Sequence, residues 1–403
     1  MSIEKKVPEI RFKGFSGEWE ESEFSGIATR VSTQHKSTCL PCVEYEDIVA
    51  GKGLFNKDIY QKKTFKAGLK FEIDDVVFGK LRPYLKNWFL ADFEGIAVGD
   101  FWVLRADIVA STFLFSLIQT NKFEFISNLS AGSKMPRSDW GLVSSSCFFI
   151  PKNICESDKI GNTFQKLDSL INQHQQKHDK LSNIKKAMLE KMFPKQGETI
   201  PEIRFKGFSG DWEEQLLGNK MTVTSVKRIL QSDWTTSGVR FLRARDIVSS
   251  YKNEEPADYL YIAREKYEQY SQLSGKVEVG DLLVTGVGTI GVPMLITNED
   301  PVYFKDGNII WFKNENAING LFLFYSFVGK QIKTYIKHSA GTGTVGTYTI
   351  NSGKNTPIKL PKSEEQTAIG NYFQKLDTLI NQHQQQITKL NNIKQACLNK
   401  MFI

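Results

Sequence analysis

The sequence predicts an α/β (α+β) protein: two mixed α/β domains separated by a pair of long antiparallel coiled-coil helices, arranged as a pseudo-two-fold tandem repeat. Three observations carry this. A short block occurs twice: Val7–Glu21 reads VPEIRFKGFSGEWEE and Ile200–Glu214 reads IPEIRFKGFSGDWEE, differing only at Val7/Ile200 and Glu18/Asp211. A longer block also occurs twice, GNTFQKLDSLINQHQQKHDKLSNIKKAMLEKMF over Gly161–Phe193 and GNYFQKLDTLINQHQQQITKLNNIKQACLNKMF over Gly370–Phe402. Between them lie stretches, about 22–154 and 215–360, with no comparable identity. A frame kept in duplicate around divergent contents implies constant parts that hold geometry or a common partner, and variable parts that recognise two different things.

The first variable stretch alternates strand-like runs with Gly- and charge-rich turns. The runs are Val43–Tyr45, Phe71–Ile73, Asp75–Phe78, Phe101–Leu104 and Cys147–Ile150. Helical spacing of Phe, Leu and Ile marks Thr112–Ser127. The first long helix places Phe164, Leu167, Ile171, His174, His178, Leu181, Lys185, Met188 and Met192 on an a/d heptad seam, and Pro194 follows it. The second variable stretch repeats the mixed pattern, with strands expected at Arg240–Arg243, Asp281–Val284, Pro293–Ile296 and Asn308–Phe312 and helix over Ile318–Lys337. The second long helix follows Pro361 with Phe373, Leu376, Ile380, His383, Ile387, Leu390, Lys394, Cys397 and Met401 on its seam.

These elements predict four segments: a first domain over 1–155, a helix and linker over 156–199, a second domain over 200–361 and a second helix over 362–403. Each long helix spans roughly 50 Å at about 1.5 Å per residue, and antiparallel pairing spares the second domain from bridging that distance. His174 and His383 share one polar seam position with Gln neighbours on both sides. A metal site or a pH switch is one reading; a polar layer that fixes register is the favoured one, because two His without carboxylate or Cys partners hold metal poorly.

At 40% hydrophobic and 24% charged, the 403 residues have the apolar content of a folded protein with two or three cores. Disorder and collagen-like order are excluded. With 52 Lys+Arg against 45 Asp+Glu, the net charge of +7 favours a polyanionic partner without establishing one. Neither a leader-like N-terminus nor a long apolar run is present, so secretion and membrane insertion are not expected. Five cysteines suit a reducing cytoplasm, and Cys39-Leu-Pro-Cys42 lacks the second pair or nearby His of a zinc site.

Local motifs carry the functional reading. Gly286-Val-Gly-Thr-Ile-Gly291 and Gly341-Thr-Gly-Thr-Val-Gly346 match a dinucleotide fingerprint in letters but not in setting, since a β-like run or a Gly/Pro-punctuated segment follows where a helix should begin. A Gly/Thr loop approaching a phosphate or base edge, which would involve Thr342 and Thr344, competes with a plain turn. Basic residues cluster elsewhere. Gly79-Lys-Leu-Arg-Pro-Tyr-Leu-Lys-Asn87 places Lys80, Arg82, Tyr84 and Lys86 at alternating positions, and the turn-rich Gly132–Asp139 segment carries Lys134 and Arg137. In the second stretch Arg240, Arg243 and Arg245 alternate as along a strand face, and Lys330, Lys333 and Lys337 fall at helical spacing. Such residues beside Ser, Thr, Asn and aromatics suit phosphate positioning and groove readout, although each one alone also fits an ordinary solvated charge.

The layout resembles the specificity subunit of a Type I restriction-modification system. The resemblance rests on Arg-Phe-x-Gly-Phe-x-x-x-Trp-Glu at 11–20 and 204–213, Phe78-Gly-Lys-Leu-Arg-Pro-Tyr-Leu85, Gly280-Asp-Leu-Leu283 leading to Gly288-Thr-Ile-Gly291, and Leu360-Pro-Lys-Ser-Glu-Glu-Gln366. In the first unit Ile150-Pro-Lys-Asn153 lacks the following Glu-Gln pair. The resemblance implies two target-recognition domains, each reading half of a bipartite double-stranded DNA site, and helices that set the spacer. It implies two modification (methyltransferase) subunits using S-adenosylmethionine, and restriction (translocase/endonuclease) subunits using ATP and Mg2+. No cofactor or metal is then bound by this chain, and the expected location is cytoplasmic. An enzyme is the competing class, but the sequence holds no phosphate-loop, zinc-protease, nucleophile-elbow or adenine-methyltransferase motif. The alternative is a non-enzymatic scaffold whose two domains bind proteins.

Overall fold

The computed structural model describes residues 6–61, 66–129, 135–340 and 346–403. The chain divides into two compact units, Met1–Gln176 with His383–Ile403, and Lys177–Gln382. The division passes through both long helices, Ile154–Lys191 and Ser363–Met401.

In the first unit Glu20–Glu23 pairs antiparallel with Cys147–Ile150, tying the two ends of the variable stretch together. A four-stranded antiparallel sheet follows the order Ala28–Val31, Phe101–Ala106, Val76–Gly79, Trp88–Leu90. The run Phe101-Trp-Val-Leu104 is buried throughout because this sheet is covered on both faces. Its period of two sends Trp102 and Leu104 to one core with Phe24, Phe113 and Phe164, and Phe101 and Val103 to another with Val43, Phe71 and Phe89. The second core lies against a smaller sheet ordered Gln34–His35, Gly68–Phe71, Gly95–Ala97, Cys42–Val43, whose last pair is parallel.

The second unit is built alike. Glu213–Leu216 pairs with Pro357–Leu360. An antiparallel sheet follows the order Thr222–Thr224, Ile309–Lys313, Leu282–Thr285, Pro293–Leu295. Ile310 and Phe312 join one core and Ile309 and Trp311 the other. The remaining sheet runs Trp234–Thr235, Leu260–Ile262, Val239–Leu242, Val302–Phe304, again with a parallel last pair. Here the units part. The first extends its parallel pair from the later strand, Gly95–Ala97, and the second from the earlier, Val239–Leu242.

Several predicted elements shift. The strand at Val43 ends there, and Tyr45–Asp47 forms a 3-10 turn because the Asp47 carboxylate accepts the Glu44 N–H at 2.7 Å. The strand predicted at Phe71–Ile73 lies earlier, at Gly68–Phe71. Arg243 and Arg245 do not share a strand face with Arg240, because the strand stops at Leu242. Asp246 accepts the Arg243 N–H at 2.7 Å and opens a helix over Ala244–Tyr251. Each single predicted helix is a pair: Ser111–Leu117 with Asn121–Ser127, the latter capped by Thr120, and Gly320–Val328 with Lys330–Ser339, separated at Gly329.

The helices run antiparallel within each unit. In the first, Asp168 meets Lys394 at 2.6 Å and His174 meets His383 at 2.9 Å, so the partner number falls as the position rises. In the second, Lys185 bonds Asp377 and Phe193 packs on Phe373. The two histidines face each other through Nδ1 atoms, one ring donating and the other accepting, in a polar layer of the seam. Among the described residues no helix is long and apolar enough to cross a membrane, and no three His, Cys, Asp or Glu side chains gather as a metal site.

Candidate nucleic-acid interface

The two basic segments predicted separately in the first unit lie side by side. Lys80 accepts the Ser138 N–H at 2.8 Å, Arg82 donates its N–H to Pro136 at 2.7 Å, and Leu81 bridges Arg137. Lys80 and Arg137 also share one carboxylate, Asp100, at 3.7 and 2.9 Å. Tyr45 supports the loop from below: it stacks on Phe101 at 4.5 Å, donates to the Asp100 carbonyl and accepts the Leu81 N–H. Burial pushes the Tyr45 hydroxyl well above its ordinary value, so it remains a protonated donor.

Between the cations, Pro83–Leu85 form a 3-10 turn flanked by Arg82 and Lys86, both in the left-handed region at φ 50° and 55°. Lys86 pairs with Glu124 at 2.9 Å, whereas Arg82 makes no ion pair among the described residues. Tyr84 is exposed at the tip. Lys134 lies outside the described residues.

The second unit repeats this backbone arrangement with other side chains. In the first, Gly79 donates to the Asn87 carbonyl, Lys80 donates to Asp100, and Ser138 donates back to Lys80, at 2.7, 2.9 and 2.8 Å. In the second, Thr285 donates to Val292, Gly286 to Asn308 and Tyr348 to Gly286, at 3.1, 2.7 and 2.9 Å. Gly286 therefore stands where Lys80 stands. A Cβ there would lie 2.7 Å from the Tyr348 carbonyl, so the close approach of these two backbone segments requires glycine. The motif Gly286–Gly291 is a turn between two antiparallel strands, and a strand follows it where a nucleotide fold needs a helix. Thr342 and Thr344 lie outside the described residues, as does most of the second Gly-rich motif.

Lys333 and Lys337 are exposed one turn apart on the helix Lys330–Ser339. Arg243 is largely enclosed: it holds Asp246 at 2.9 Å and Asp258 at 2.9 Å, anchoring the loop to the helix start. Arg245 is exposed and pairs with Asp258. Hydrogen bonding from Arg243 holds the Asp258 carboxyl below the usual range. Arg240 lies 4.1 Å from the ring of Tyr259, a cation–aromatic pair that the sequence reading missed because Tyr259 stands just before the strand Leu260–Ile262 that pairs with Arg240's own.

Also missed were two buried aspartates that fix the sheets. Asp75 caps the Glu72 N–H and takes both Arg105 nitrogens at 2.8 Å. Asp281 caps Glu278 and accepts from the Trp311 indole at 2.8 Å. Their signal was the shared spacing of Glu72-Ile-Asp-Asp75 and Glu278-Val-Gly-Asp281 just before a strand.

The constant frame is likewise duplicated in detail. Arg11 binds Glu156 and Arg204 binds Glu365. Ser157 accepts the Ala110 N–H at 3.1 Å, and Gln366 accepts the Asn319 N–H at 3.0 Å. The first unit thus keeps the glutamate of the helix entry at Glu156, and the serine at 157 replaces only the glutamine. This corrects the sequence reading, in which the pair was missing.

Comparison with known proteins agrees with this architecture. Residues 239–392 match the family described as Type I restriction modification DNA specificity domain. A Haemophilus influenzae protein named as a type I restriction enzyme specificity subunit is 28% identical over 169 residues, spanning 41% of this chain and 40% of that protein. A type I restriction enzyme specificity subunit of Methanocaldococcus jannaschii is 24% identical over 342 residues, 79% of this chain and 78% of that protein. The crystal structure of a Type-I restriction-modification S subunit from M. genitalium shares the fold, with a TM-score of 0.60 at 15% identity, covering 98% of this chain and 99% of that one. The duplicated frame and the two sheet assemblies, with a match to the Type I restriction modification DNA specificity domain over 239–392, make the chain similar to type I restriction-modification specificity subunits.

Proposed function

We propose that each unit reads one half of a bipartite DNA site, and that the chain directs partner subunits that methylate adenine or cleave the DNA. The observation that carries this reading is the shared backbone arrangement at Lys80 and Gly286, which presents unlike chemistry at equivalent positions. Constant main chain with variable tips is what two readers of different sequences need. Lys80, Arg82, Tyr84, Lys86 and Arg137 serve the first half-site; Arg245, Lys333 and Lys337 serve the second, with Arg243 holding its loop. Lys134, Thr342 and Thr344 belong to the same proposed surfaces.

The partners are two modification subunits and the restriction subunits of a cytoplasmic complex. Val7 and Ile10 are 40% and 44% exposed in one repeated block, and Ile200 and Ile203 are 50% and 36% exposed in the other. The same exposed apolar pair in both copies supports docking of two copies of one protein. S-adenosylmethionine, ATP and Mg2+ belong to those partners, and the antiparallel helices set the spacer. Mapping modified adenines in a genome that expresses the chain with its modification partner tests the reading. A split motif with two unlike halves is expected; a continuous motif or none contradicts it.

A further inference from the structure

The tip of the first unit combines features that ordinary surface loops do not need. Tyr84 and Leu85 are 51% and 42% exposed, and Phe125 beside them is 67% exposed. The tip is nonetheless held firmly. Leu85 donates to Arg82 and Lys86 donates to Pro83, both at 2.9 Å, while Gly51 donates to the Lys86 carbonyl at 2.9 Å. Two non-glycine residues, Arg82 and Lys86, adopt left-handed backbone to project it. Glu124, next to Phe125, pairs with Lys86, so the helix Asn121–Ser127 is fixed to the same tip. Cations surround the apolar residues: Arg82 on one side, Lys86 on the other, and Arg137 across the Leu81 bridge. An apolar tip held by main-chain bonds, with Arg82 free of an ion pair among the described residues and Lys86 and Arg137 paired with Glu124 and Asp100 at its flanks, complements a duplex whose phosphates flank an opened base step. The equivalent turn in the second unit has no such tip, because Gly288 and Thr289 are its exposed residues.

We infer that Tyr84 and Leu85 form a wedge that unstacks a base step in the first half-site, while the second unit reads its half-site without unstacking it. This inference rests on the DNA-reading role proposed above. It makes the two halves mechanically unlike as well as different in sequence.

The test uses the full chain assembled with its modification partner on a duplex carrying its own site, with 2-aminopurine placed singly at each position except the modified adenines. Domain exchange first assigns the halves. A several-fold rise in fluorescence at one step of the first half-site is expected, with none in the second. Tyr84→Ala with Leu85→Ala should return that step to the free-duplex signal while the complex still forms on the second half-site, and Tyr84→Phe should keep the rise. Binding without unstacking, or unstacking that survives the double substitution, overturns the wedge alone. Failure of the unaltered complex to select any duplex overturns the DNA-reading role itself.

Discussion

Arg11 grips Glu156 through Nε at 2.6 Å and Nη2 at 2.8 Å, and the glutamate is almost fully buried where the first long helix begins. Arg204 and Glu365 reproduce the contact at 2.6 Å through both nitrogens. In each case a third nitrogen reaches a carbonyl of the glycine turn, at Gly17 and Gly210. Donation to Glu156 raises the Arg11 pKa against the opposing effect of burial. The repeated block is therefore a clamp between the loop before each variable stretch and the helix after it. Its sequence is kept because both ends of a bidentate buried pair must be present.

Removing one partner strands the other in a buried site. Arg204→Ala is expected to cost about 3–5 kcal/mol in urea unfolding. The Arg204→Ala, Glu365→Ala pair should cost less than the two single changes added, because no charge is left alone. Additive costs would contradict the clamp.

The helical glycines that open the longer repeated block have a packing reason. A Cβ on Gly161 would overlap Thr112 Oγ1 and the Phe113 nitrogen, and one on Gly370 would lie 2.7 Å from the Leu321 Cβ. Alanine favours an isolated helix by up to about 1 kcal/mol, yet overpacking costs about 1–3 kcal/mol. Gly161→Ala should destabilise more than Gly370→Ala, since its clash meets backbone. Thermal unfolding of the two variants reports the order; stabilisation by either change would contradict the close packing.

Burial lifts the Asp168 carboxyl above its ordinary value, and Lys394 at 2.6 Å opposes this only in part. A carboxyl with a raised folded pKa binds its proton more tightly in the folded state. Its favourable contribution is complete below the unfolded pKa and is lost as pH rises through the folded one. The unaltered chain should therefore gain stability relative to Asp168→Asn as pH falls from neutral toward about 4. Urea unfolding across that range measures the difference, and a falling difference would contradict the assignment.

Lys80 and Arg137 meet at Asp100 on the first unit. Alanine at Arg137 should weaken or relax the first half-site alone, by about 1–3 kcal/mol if it reads a base. Competition binding with duplexes altered in one half at a time checks this. Equal loss at both halves would contradict a local role.

The repeated frame was legible because duplication prints it twice: the helices and the Arg-Phe-x-Gly-Phe block stand where the sequence placed them. The central strands were legible too, since Phe101–Leu104 and Ile309–Phe312 must be continuously apolar to feed two cores. The smaller sheets were not. Their strands are as short as Gln34–His35, and long-range pairing, not local pattern, decides which side of the parallel pair is extended. The correspondence of Lys80 with Gly286 was equally hidden, because main-chain bonds to Asp100 and Asn308 define it while the side chains share nothing. The Arg243 reading failed locally: a capping aspartate three residues on outweighed alternation.

The central claim is that two units with one backbone plan read two unlike half-sites. Replacing residues 22–154 with the corresponding stretch of another such chain, followed by genome-wide mapping of modified adenines, tests it most directly. One half of the motif should change while the other half and the spacer persist. A change in both halves, or in neither with methylation intact, would contradict the account.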